Sequence, residues 1–245
     1  TSLFGWRGMC PLNTATGAVI TASSALSSYL SANAFKGIAA SGFSSGRSAW
    51  AVLGTKAGGV GQAVLCYENS GSLWRESLPP GEWWGWPASP APVCGYDRFV
   101  GASNMLFSIC TTAKKAYKWT ATYKQGGQNG AQLGGSFSST PSAIAISPSL
   151  IIYVAGNGLL GAGSNLAQIA PAGTEWSPAE QSAYIPPASR FTPDDWTGLS
   201  IAFTSDGHMV AAGAFTSIGG NSVPYLAKWD GSNWVPFGSV RPGGA

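Results

Sequence analysis

The 245-residue sequence has room for one large all-β domain or two ordinary ones, and its 44% apolar content excludes a disordered chain. Charged residues are only 9% and the net charge is +3, with no basic run longer than Lys114-Lys115; this excludes a nucleic-acid partner, which needs a clustered phosphate-binding patch. Apolar runs are short and broken by Gly, Ser and Pro, so no membrane insertion is expected.

An average soluble domain is roughly 25% charged. The surface here must therefore be covered by Ser, Thr, Asn, Gln and Gly, which suits an extracellular or virion-surface protein better than a cytosolic one. No Asn-x-Ser/Thr sequon occurs, so N-glycosylation is not expected. No signal-like segment opens the chain at Thr1, which reads as a mature or excised form. Cys10, Cys66, Cys94 and Cys110 lie far apart and the single histidine is His208, a pattern that lacks the short ligand spacing of zinc sites. The four cysteines are either disulfides, with three pairings open, or small buried thiols.

In chain order, residues 1–36 hold GAVITASSALSSYL and SLFGWRG, which are expected to supply part of a first unit or a closing strand. GIAASGFSSGRSAWAVLG, 37–54, sets two apolar runs around a Ser/Gly turn, the pattern of a β-hairpin. DRFVGASNMLFSIC (97–110), SAIAISPSLIIYVAG (142–156) and LSIAFTSDGHMVAAG (199–213) repeat it. Three of these hairpins are followed by a Gly-rich loop, a third strand, a turn and a tryptophan that opens a fourth strand. The spacings Gly54–Trp74, Gly156–Trp176 and Gly213–Trp234 are 20, 20 and 21 residues. The second unit lacks the Gly-Gly; its KKAYKWTATYKQ is expected to hold both the third and the fourth strand.

Four antiparallel strands recurring every ~45–58 residues are the pattern of a propeller blade. One such sheet cannot bury both faces alone, whereas sheets stacked around an axis bury them. The expected fold is an all-β, single-domain β-propeller over 1–245. It has four-stranded antiparallel blades, five in number, near 37–90, 95–135, 140–190 and 197–240, with 1–36 as the partial or closing blade. Trp74, Trp176, Trp229 and Trp234 are expected to be wedges between blades.

GAFTSIGGNSVPYLAKWDGSNWVPFGS, 213–239, resembles the GG-AFT-x-x-GG…IA-x-W-D-G-x-x-W repeat of bacterial and phage propeller-type surface proteins. The resemblance is close over this last unit and degenerate over the other three. It implies a β-propeller and carries no catalytic residue to transfer. Tachylectin-like lectins share the five-blade size class by analogy alone.

Several motifs look catalytic. GFSSG, 42–46, matches a nucleophile elbow with Ser44 in the nucleophile slot, and Asp194, Asp195 and Asp206 precede His208 in triad order. The elbow needs a helix after it, and RSAWAVLG reads as a strand. GNGLLG, 156–161, matches a dinucleotide fingerprint with Glu175 near the ribose position, but AGSNLAQIAPAG is too broken for the required helix. A glycosidase pair is sought best in Asp194 and Asp195, whose TPDDW context, like TSDG and WDG around Asp206 and Asp230, reads as a turn. His208 has no catalytic partner in sequence. Neither an enzyme activity nor a cofactor or metal is expected.

PPGEWWGWPASPAP, 79–92, packs Trp83, Trp84 and Trp86 between prolines. It falls between LWRESL and YDRFVG, hence between two units. Neighbouring residues of an extended chain point opposite ways, so the three rings cannot all face the core. Either they cap the hydrophobic ends of neighbouring units or they form an aromatic contact surface, with at least one ring expected to meet a partner or another subunit and with Arg75 and Glu82 able to bond hydroxyls. The function expected is a non-enzymatic surface or assembly module of a virion, fibre or cell surface, contacting copies of itself or a neighbouring structural protein. The alternative is a lectin-like glycan binder; a hydrolase stands third. A multivalent lectin repeats its aromatic site in each unit, yet WWGW occurs once.

Overall fold

Alternating apolar and small residues interrupted by Gly, Ser and Pro favour short strands joined by tight turns. The computed structural model describes residues 37–43, 47–55, 62–70, 73–76, 96–102, 105–120 and 130–238, with side chains mainly over 107–118 and 132–238. The chain forms two compact units, one of residues 1–107 with 118–131, the other of 108–117 with 132–245.

In the first unit, β1 (Gly37–Phe43), β2 (Arg47–Thr55), β3 (Gln62–Ser70) and β4 (Leu73–Glu76) make a four-stranded antiparallel sheet in that order. β5 (Tyr96–Ala102), β6 (Met105–Cys110), β7 (Lys115–Thr120) and β8 (Gly130–Leu133) form another sheet in chain order, whose residues are divided between the two units. The fourth strand of this sheet is Gly130–Leu133; ATYKQ, where it was expected, lies outside the described residues. A single turn, Thr111–Lys114, already joins β6 to β7.

The second unit holds two further sheets. β9 (Ala143–Ile146), β10 (Ile152–Ala155), β11 (Leu166–Ile169) and β12 (Ser177–Pro178) form one meander. β13 (Ser200–Phe203) and β14 (Met209–Ala212) are followed by a small ribbon, β15 (Ser217–Ile218) with β16 (Asn221–Ser222). β17 (Leu226–Trp229) and β18 (Trp234–Pro236) then complete the sheet in the order β13-β14-β17-β18. The sequence shows that ribbon only as a Gly-rich loop; Gly219 and Gly220 at its tip both have positive φ, 60° and 80°, which glycine adopts without strain.

Both meanders have one register. Ile152 faces Ile146 and Ile169 in the first; Met209 faces Phe203 in the second. The outermost strands each place a proline opposite an alanine, Pro178 against Ala167 and Pro236 against Ala227. Proline gives up an N–H that an edge strand does not need for its own sheet, and it blunts that edge.

All four side chains of β10 are buried, as are three of four in β9 and β11, because both sheet faces are covered. The core between the two meanders joins Tyr153, Leu166, Ile185 and Phe191 to Ile201, Met209, Phe215, Trp229 and Trp234. The first strands of successive sheets lie against each other: β1 against β5, and β9 against β13.

Tryptophans tie each stretch to the one before. Trp176 Nε1 donates to Leu133 O at 2.9 Å, Trp234 Nε1 to Arg190 O at 3.0 Å, and Trp229 Nε1 to Ser182 O at 3.1 Å. Trp229 and Trp234 are fully buried and meet edge to face at 5.8 Å. The Arg190 guanidinium sits 5.6 Å from the centre of the Trp229 ring and donates to Ser232 O at 2.8 Å. Trp229 and Trp234 are packed between two sheets, as expected of them, whereas Trp176 is half-buried against Phe137 and Leu133; the Trp74 side chain is outside the described residues.

Cys110 is buried and disulfide-bonded, and Ala113 N donates to its Sγ at 3.2 Å. Of the two cysteine expectations, the disulfide therefore holds for this residue.

Candidate functional site

The hairpin turns β9–β10 and β13–β14 are built alike. Each begins with a hydroxyl residue, Ser147 or Thr204, whose Oγ accepts an amide hydrogen four residues on. The donors are Ile151 N at 3.1 Å and His208 N at 3.0 Å. The fourth turn position is left-handed in both, Leu150 at φ 63° and Gly207 at φ 91°. Between these turns and the segment 182–185 lies an open cleft of about 340 Å³. Ile151, Tyr153 and Ile185 line it together with Ser147, Ser149, Ser182, Tyr184, Ser205 and Asp206.

Tyr184 is the exposed ring of this cleft, 48% accessible. Its position is fixed at both ends of the residue: Tyr184 N donates to Ser182 Oγ at 3.1 Å, and Tyr184 O accepts from Met209 N at 2.9 Å. Its ring meets the His208 imidazole edge-on at 5.0 Å. Asp206 faces two basic side chains, Lys228 Nζ at 3.6 Å and His208 Nε2 at 3.7 Å. The Thr204 hydroxyl, then Lys228 and His208, hold its carboxyl below the ordinary value. Burial raises the Tyr153 phenol.

The residues that look catalytic in sequence are engaged elsewhere. Asp194 accepts hydrogen bonds from Thr216 N at 2.8 Å, Thr216 Oγ1 at 2.6 Å and Ser217 N at 3.0 Å, and fastens the approach to the β15–β16 ribbon. The Thr216 hydroxyl, followed by the Ser217 amide, holds its carboxyl far below the ordinary range. Asp195 caps Thr197 N at 2.7 Å. Asp230 accepts from Ser232 N and Asn233 N at 2.8 and 2.7 Å, closing the turn read in WDG. His208 Nδ1 lies 2.9 Å from Trp229 O.

GNGLLG lies wholly in the loop between β10 and β11. Gly158 and Gly161 have positive φ, Gly158 N donates to Asn165 Oδ1 at 2.8 Å, and β11 follows where a dinucleotide site needs a helix. GFSSG likewise joins antiparallel β1 and β2, with Phe43 opposite Arg47; Ser44 itself is outside the described residues.

Arg75 belongs to β4, opposite Glu68. Trp83, Trp84, Trp86 and Glu82 lie outside the described residues, on the connection from β4 to β5 that the sequence places there. Sequence reasoning missed the Tyr184 cleft. Its three short Ser-rich pieces come from separate parts of the chain, and the one local signal is a tyrosine between Ser182 and the pair Pro186-Pro187. Among the described residues no cluster of potential metal ligands occurs, and no helix is long and apolar enough to cross a membrane.

No family model and no curated protein matches the sequence. Among solved structures the chain is similar to one described as YCF48 bound to D1 peptide, at 18% identity and a TM-score of 0.40, covering 82% of this chain and 51% of that one. The chain thus spans about half the length of that structure.

Proposed function

We propose that this chain is a non-enzymatic β-propeller of five blades that serves as a surface or assembly module of a virion, fibre or cell surface. It makes protein–protein contacts with copies of itself or with a neighbouring structural protein. The observation that carries the propeller reading is the meeting of first strands, β1 with β5 and β9 with β13, while prolines blunt the outermost strands β12 and β18. Support for the non-enzymatic reading comes from Asp194, Asp195 and Asp230, which spend their acceptors on backbone amides.

In this reading Trp83, Trp84 and Trp86 form the contact surface, with Arg75 and Glu82 beside them. Light scattering on the purified chain and on the Trp84→Ser/Trp86→Ser variant tests it. The expected result is an assembled wild type and a folded, monomeric variant. Equal masses for the two folded chains overturn the assignment of this loop. Loss of cooperative unfolding in the variant overturns it too, because the rings are then packing groups.

A further inference from the structure

We propose that the cleft between the Ser147–Ile151 and Thr204–His208 turns binds a neutral saccharide. The site goes beyond the assembly reading and stands without it. Its volume of about 340 Å³ falls in the range of ligand pockets, roughly 300–1,000 Å³.

Three features select the ligand chemistry. The first is the Tyr184 ring, exposed, on a backbone held by Ser182 and Met209 and with the His208 imidazole edge-on at 5.0 Å, so that a flat apolar partner finds a ring face to stack on. The C–H face of a pyranose is such a partner. The second is a set of polar side chains fit for hydroxyl groups. Ser182 Oγ already accepts from Tyr184 N and from Ile185 N at 3.0 Å, so its own hydrogen is left to donate. Asp206 supplies a carboxylate acceptor, and Ser149 and Ser205 stand exposed at the rim.

The third feature discriminates against other ligands. Lys228 and His208 already face the Asp206 carboxylate, so a cationic side chain gains little by entering. An extended peptide needs main-chain partners, and five amides around the cleft are already engaged. Ser147 N, Leu150 N, Thr204 N, Gly207 N and Met209 N all bond within the turns or to Tyr184 O, and β10 is paired on both sides.

The test is saturation-transfer NMR on the full chain with N-acetylglucosamine, galactose and mannose in turn, and with lysine amide as the cationic probe. At least one sugar is expected to receive saturation, and lysine amide none. Tyr184→Ala should weaken the binding about ten-fold. Ser205→Trp, which fills the mouth from an exposed position, should abolish it in a chain whose unfolding and mass match wild type. Transfer to none of the three sugars overturns the proposal, as does transfer to lysine amide alone. Equal sugar binding by folded Ser205→Trp and wild type also overturns it. The light-scattering mass reads the assembly proposal separately, so either idea can fail alone.

Discussion

The two meanders of the second unit, β9–β12 and β13–β18, have the same strand register, the same hydroxyl-capped five-residue turn and the same edge proline. They differ in what fills those positions. Trp234 is fully buried where Trp176 is half-buried. Glycine occupies the left-handed turn position in one and leucine in the other. The second meander also carries an extra ribbon. Backbone-directed features therefore define the repeat, and side-chain size is free to drift as long as the bond to the preceding stretch survives.

The largest effect should separate the two tryptophans. Trp234→Ala removes a buried ring packed on Phe191 and Trp229, and should cost about 3–5 kcal/mol. Trp176→Ala loses one ring contact, Phe137 at 5.0 Å, and its bond to Leu133 O, and should cost about half as much. Denaturant unfolding of the two variants measures both; equal losses would mean that burial does not distinguish the two positions.

Next come the turns. Gly207→Ala forces a Cβ onto φ 91° and should cost about 1–2 kcal/mol. Leu150→Gly relieves the same strain but adds freedom to the unfolded chain, so the change should stay within about 0.5 kcal/mol. Thermal unfolding of the pair reads the cost of one backbone conformation in two sequences. A large loss at Leu150→Gly would show that its side chain does more than occupy the turn.

The smallest effect concerns the ribbon found only in the second meander. Asp194 is held below its ordinary carboxyl value, so the stability it gives is full at neutral pH and falls away as acid approaches the depressed value. Hydrogen exchange at the Thr216 and Ser217 amides should lose protection in acid ahead of β13 and β14. Asp194→Asn should flatten that dependence; an unchanged pH profile would remove Asp194 from the ribbon's anchoring.

The four hairpins and three of the Gly-to-Trp segments are readable in sequence, because apolar runs, turn residues and a constant spacing agree. The fourth strand of the β5–β8 sheet is not. ATYKQ alternates like a strand, whereas GAQL at 130–133 carries only two apolar residues and is recruited by pairing with its neighbour in the sheet. The roles of Asp194, Asp195 and Asp230 follow from their turn contexts, while the exact amides they hold do not. The cleft is illegible for another reason: Ser147, Tyr184 and Asp206 converge only after two sheets have stacked.

The tryptophan bonds also set an order in time. Leu133, Ser182 and Arg190 offer their carbonyls 43, 47 and 44 residues before the indole that caps them. At about 5–20 residues per second, each acceptor leaves the ribosome several seconds ahead of its donor. Phe191, which packs beneath Trp234, emerges with the acceptor and stays uncovered for the same interval. A chain that still lacks Trp234 therefore has an unfilled core around Phe191.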